Sequence, residues 1–186
     1  MQLEPNFLES IHKQFRYYKS LGDKTIGTLS EDDIFWQPNA ESNSIAIIVK
    51  HISGNMLSRW TNFMTEDGEK PWRNRDGEFE ADYSSLADMK AHWEEAWACL
   101  FNAIDPLQPE DLTKLVYIRN LGHTVAEAIH RQLAHYAYHI GQLVFLAKVL
   151  KGENWQSLSV PKGQSEQYNQ EKFAKEKRRQ HFTDDL

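Results

Sequence analysis

The chain has 186 residues, 40% of them apolar and 26% charged, with a net charge of −6. That is enough for one domain with a real core, and the acidic balance argues against nucleic-acid binding. A single cysteine, Cys99, excludes an intramolecular disulfide framework and any cysteine-rich zinc site.

Helical periodicity begins at once. Phe7, Leu8, Ile11, Phe15, Tyr18, Gly22, Ile26 and Leu29 recur every three or four residues and predict a first helix from Leu3 to Leu29. Ser30-Glu31-Asp32-Asp33 then starts a short helical turn that Pro38 closes. A second long helix is predicted from Asn43 or Ser44 to about Met64, with Ile45, Ile48, Val49, Ile52, Met56, Trp60 and Phe63 as its apolar stripe. Residues 65–83 form a long connection with two Asp-Gly turns, expected either to carry functional side chains or to be a structural cover held by Trp72 and Phe79, which speak against disorder. Loops of that length are functional or disordered more often than not. A third helix runs from Ser84 or Ser85 to Ile104, where Asp105-Pro106 stops it. Leu115 to Ile118, followed by a turn at Asn120 to Gly122, predicts a small hairpin. The fourth long helix starts at Thr124, with Glu127 as its capping partner, and ends on Gly152.

Four helices of this length predict an all-α fold, an up-and-down four-helix bundle with a long loop between helices 2 and 3. The division expected is a bundle over residues 1–155 and a charged tail or extra helix over 156–186. No apolar run approaches the ~20 residues needed to span a bilayer, and no cationic-then-apolar leader is visible, so no membrane association is expected and cytoplasm is the expected compartment. From Tyr136 to Val149 the fourth long helix is apolar nearly all round, with Ala134, Gly141 and Phe145 on the side opposite the core stripe. A helix apolar on every face is buried on every face. The expectation is a homodimer through this helix, or cover from the C-terminal tail.

Eight histidines are the one compositional feature able to support chemistry. His135 and His139 are four apart, so they share one face of the fourth helix, on the flank of its apolar stripe. Two imidazoles so placed can hold one metal ion. His51 flanks the second helix's stripe in the same way, on a line with Asn55, Ser58 and Asn62. Facing the pair, it would complete a three-imidazole site. Three protein ligands and an open position form the catalytic pattern of zinc, although imidazole alone does not select among zinc, nickel, iron and copper. His12, His92, His123, His130 and His181 have no comparable case. His92 shares a face with Asp88, Glu95 and Cys99, but Cys99 has no cation or helix N-terminus in sequence reach to activate it. Tyr136 stands where a His-Glu-x-x-His protease would carry its glutamate base. No Gly-x-Ser-x-Gly, P-loop or Gly-x-Gly-x-x-Gly occurs, which disfavours serine hydrolases and nucleotide binders.

Three segments together, Lys50-His51-Ile52-Ser53-Gly54-Asn55, Gly122-His123-Thr124-Val125-Ala126-Glu127 and His135-Tyr136-Ala137-Tyr138-His139-Ile140-Gly141-Gln142, carry a resemblance. The chain resembles the DinB/YfiT-like superfamily of metal-binding four-helix bundles over about residues 3–155. The stretches Gly54 to Met64 and Asp67 to Phe79 are similar to one of its bacterial branches. The resemblance implies His51, His135 and His139 as ligands of one divalent ion, with zinc or nickel first and iron or manganese next. In relatives of that kind the ion assists thiol chemistry: bacillithiol or mycothiol transfer, and glutathione- or mycothiol-dependent isomerisation. It implies here a low-molecular-weight thiol, or water, activated for attack on a small-molecule electrophile. A metal-dependent hydrolase is the alternative, and a non-enzymatic bundle with a structural ion is the third reading. A hydrolase needs a carboxylate base, for which Asp76 and Glu78 are better placed than the cap Glu127. Arg73 and Arg75 are candidates to bind a thiol cosubstrate's carboxylates, with Asn55 as a further substrate-binding candidate.

Overall fold

The computed structural model describes residues 3–185 of the chain. It is mostly helical: α1 (Leu3–Ile26), α2 (Glu31–Phe35), α3 (Ile45–Trp60), α4 (Leu86–Ile104), α5 (Val125–Lys151) and α6 (Ser165–Phe173), with one two-stranded sheet of β1 (Leu115–Ile118) and β2 (Leu121–Thr124). The starts expected from sequence are built as capped ends. Ser30 and Asp33 cap α2 reciprocally, Ser44 accepts from the Ile47 N–H, Ser85 from the Asp88 N–H, and Thr124 with Glu127 forms a full capping box on α5.

Two ends differ from the sequence expectation. α1 stops at Ile26 and not Leu29. α3 stops at Trp60 and not Met64, because Asn62 adopts φ 49° and its carbonyl accepts the N–H groups of Thr65 and Glu66. That left-handed residue turns the chain into the long connection early.

The antiparallel hairpin pairs Ile118 with Leu121 across Arg119 and Asn120, both at positive φ (55° and 60°). Such a two-residue turn usually wants Asn-Gly. Here Asp67 supports it, accepting the Arg119 and Asn120 N–H groups at 2.8 Å each. The same loop is tied to α3 by Ser58, whose hydroxyl donates to the Gly68 carbonyl and accepts from the Lys70 N–H. Polar anchoring therefore holds residues 65–83. Trp72 and Phe79, one of the two expected ways of holding the loop, are exposed and do not pin it.

α3 packs on α4 and α5, and α5 packs on α1. Phe15, Trp60, Trp93, Trp97 and Tyr136 fill the space between them, all essentially inaccessible. Gly22 makes this possible on α1: a Cβ there would stand 2.5 Å from the Trp93 ring. The C-terminal segment returns to α1, with Phe182 edge-on to Tyr17 and Asp184 paired to Lys13. It does not cover the outer face of α5. No helix among the described residues is long and apolar enough to cross a membrane.

Candidate metal centre

His51 comes from the middle of α3, and His135 and His139 from successive turns of α5. Packing α3 against α5 brings the three rings together. His135 Nε2 lies 3.3 Å from His51 Nε2 and 3.1 Å from His139 Nε2. One ligand nitrogen from each lies within 4.8 Å of the other two. They are the one such group of potential metal ligands among the described residues.

The far sides of two rings are fixed. His51 Nδ1 is 2.9 Å from Glu78 Oε2, and His139 Nδ1 is 2.7 Å from Gln142 Oε1. A carboxylate and an amide oxygen can only accept, so both Nδ1 atoms donate and both Nε2 atoms present lone pairs. Two lone pairs meet a third nitrogen that holds at most one proton. The cluster lacks donors and has room for a cation. The spacing agrees: two nitrogens about 2.05 Å from one ion at a tetrahedral angle stand about 3.3 Å apart. The donor set therefore fits a divalent ion.

Burial favours the neutral form of the two rings on α5. Burial lowers the His135 pKa to about 3, helped by His139 and His51 beside it. Burial lowers His139 as well, against the hydrogen bond to Gln142.

Glu78, on the short 3₁₀ turn Asp76–Phe79, is buried behind His51. Arg73 grips it with two bonds, Nε to Oε1 at 2.7 Å and Nη2 to Oε2 at 2.9 Å. Burial pushes the Glu78 carboxyl up, but the bonds from His51 and Arg73 outweigh it and hold the group below the usual carboxylate range. The approach depends on Gly54, where a Cβ would lie 2.5 Å from Glu78 Oε1.

The remaining sequence candidates take distinct places. Asn55 is buried one turn beyond His51, its Oδ1 accepting from the Tyr136 hydroxyl at 3.1 Å while Trp60 Nε1 donates to that hydroxyl at 3.0 Å. It thereby ties α3 to the residue next to His135. Arg73 lines the cleft but has its fork committed to Glu78. Arg75 lines it exposed, and Asp76 is exposed on the 3₁₀ turn and is not among the cleft's lining residues. Glu78 acts on His51 and does not line the cleft, so neither expected carboxylate stands as a base at the histidines. The other five histidines are accounted for elsewhere. His12 pairs with Asp105, His130 packs on Phe7, His181 bonds Ser10, and His92 bonds the Tyr83 hydroxyl while Cys99 contacts Thr61. His123 Nδ1 donates to the Leu121 carbonyl, which leaves Nε2 to accept from Arg131.

The histidines open into a cleft of about 470 Å³. Among the lining residues that sequence reasoning missed are three arginines: Arg59, Arg119 and Arg131. Their positions on α3, the hairpin turn and α5 gave no periodic signal linking them.

The family described as "Protein of unknown function (DUF1572)" matches residues 2–164, and the chain belongs to it. Residues 165–186, with α6, lie beyond that match. No curated protein matches the chain.

Proposed function

We propose that this DUF1572 family member is a metal-dependent enzyme of the DinB/YfiT-like four-helix-bundle kind. His51, His135 and His139 would hold one divalent ion, zinc or nickel first, and the ion would supply the Lewis acidity that activates a low-molecular-weight thiol toward a small electrophile. The observation that carries the reading is the convergence of three imidazole nitrogens, two of them with their opposite nitrogens tied to Glu78 and Gln142.

An ion on three neutral imidazoles keeps its full charge and lowers the pKa of a thiol or water that reaches it. The chain's own residues favour the thiol. A carboxylate that takes the proton assists attack by water and is not needed by a thiol, and no Asp or Glu lines the cleft. Glu78 has both oxygens engaged by Arg73 and His51. Cys99 belongs to a different groove, beside Thr61, so the reactive sulfur comes with a cosubstrate.

The test is elemental analysis of untagged protein, then consumption of glutathione or bacillithiol with monochlorobimane, with and without added zinc or nickel. Metal-dependent thiol consumption is expected. His135→Ala and His139→Ala should lose both the metal and the activity, and full metal content in them rejects the ligand assignment. Metal-dependent ester hydrolysis without thiol consumption would replace the thiol reading with the hydrolytic one. A bound ion with neither activity would leave the non-enzymatic bundle.

A further inference from the structure

Five of the chain's eight arginines line the cleft that holds the three histidines: Arg59, Arg73, Arg75, Arg119 and Arg131. None of its thirteen lysines does, and neither does any acidic residue. This concentration stands in a chain whose net charge is −6. The arginines come from α3, the long loop, the hairpin turn and α5, so the fold gathers them from four places.

Two carboxylates behind the wall neutralise only part of it. Glu69 takes Arg59 at 2.9 Å, Arg119 at 3.1 Å and Arg73 at 3.4 Å, and Glu78 takes Arg73. Arg75 and Arg131 have no acidic partner among the described residues. Arg131 is nonetheless oriented, since its Nη1 donates to His123 Nε2 at 3.1 Å. Two further polar atoms of cleft residues, Arg59 Nε and Gln132 Oε1, are buried without a partner. A pocket walled by one sign of charge concentrates ligands of the other. Arginine's planar fork matches carboxylate and phosphate oxygens two at a time, which a lysine ammonium cannot do. The volume suits a small molecule and not a polymer.

We infer that the molecule handled at the histidines is a small anionic compound, bearing carboxylate or phosphate groups. Arg75 and Arg131 bind those groups, and the paired arginines hold the wall between them. The inference rests on the cleft being the reaction site.

The experiment is calorimetric titration of the full chain, zinc-loaded and metal-free, with succinate, inorganic phosphate and the neutral analogue succinamide. Succinate or phosphate should bind both forms, with succinamide at least about tenfold weaker, the scale of one lost charge-assisted contact. Preference for either anion supports the inference and identifies the group recognised. Arg75→Gln with Arg131→Gln should weaken anion binding by about tenfold or more, with metal content unchanged, while Arg16→Gln on α1 should do nothing. Equal binding of succinamide, or unchanged anion binding by the double variant, overturns the inference. The two readings fail separately. Anion binding that needs the zinc and ignores the arginines removes this inference and keeps the metal. Arginine-dependent anion binding in a chain that takes up no metal removes the metal centre and keeps the anion site.

Discussion

Glu78 does not line the cleft, yet it sets which nitrogen of His51 carries the proton. Glu78→Gln keeps an oxygen that can accept but removes the charge, and outer partners of this kind are worth about 10–100-fold in metal affinity. That loss is the expected result in competition with a chelating dye, and an unchanged affinity would show that His51 is oriented by packing alone. Gly54→Ala should have the same effect by displacing the carboxylate that approaches it. The metal-free protein also carries a pH signature. His135 titrates near 3 when folded against an ordinary 6.5, so the unfolded chain binds the proton first as pH falls. Stability of the metal-free form should therefore decline from about pH 6.5 downward, and a ligand-free midpoint that is flat between pH 7 and pH 4.5 would contradict it. The histidine pair was legible because four-residue spacing on a helix fixes a shared face. The Glu78 contact was not, because it depends on how a 3₁₀ turn 27 residues away folds back on α3.

Helix starts were readable as Ser, Thr and Asp at the right offsets, and α2, α3, α4 and α5 begin there. Their ends were less so. The apolar pattern of α3 continues through Phe63, and only the left-handed turn at Asn62, which periodicity does not encode, ends the helix at Trp60. The loop's anchors were misjudged for a related reason: aromatic residues suggest burial, whereas Asp67 and Ser58 do the holding through backbone groups. Between elements, the close approach of α1 to the aromatic core depends on one missing side chain. Gly22→Ala gains helix propensity but drives a methyl into Trp93, with Ile140 3.2 Å away and no room to yield. Overpacking of a filled core costs about 1–3 kcal/mol, which exceeds the gain of up to ~1 kcal/mol from propensity. Denaturant unfolding should show a net loss of stability with metal binding intact, and a more stable variant would mean the Trp93 ring moves freely.

At the scale of the whole molecule, the outer face of α5 is the conspicuous surface. Tyr138 is 63% exposed, Phe145 66% and Val149 50%, and they recur at helical spacing on a helix whose other face is buried in the core. The C-terminal segment, which sequence left as one possible cover, packs on α1 instead. Gly141 lies in the middle of this face, and a Cβ there would meet nothing within 4 Å. Glycine inside a helix costs about 1 kcal/mol relative to alanine, and no contact within this chain gives a reason for it. A second α5 crossing at Gly141 would, because the missing side chain lets two helices approach closely. The expected assembly is a two-fold dimer through α5, and two substitutions separate it from an idle surface. Phe145→Glu should convert a dimer to a monomer in sedimentation with metal content unchanged. Gly141→Ala should weaken the dimer if the face is a contact. If the face is free, the same change should raise stability by up to ~1 kcal/mol and leave the mass alone. A wild-type chain that sediments as a monomer, and is stabilised by Gly141→Ala, would refute the dimer.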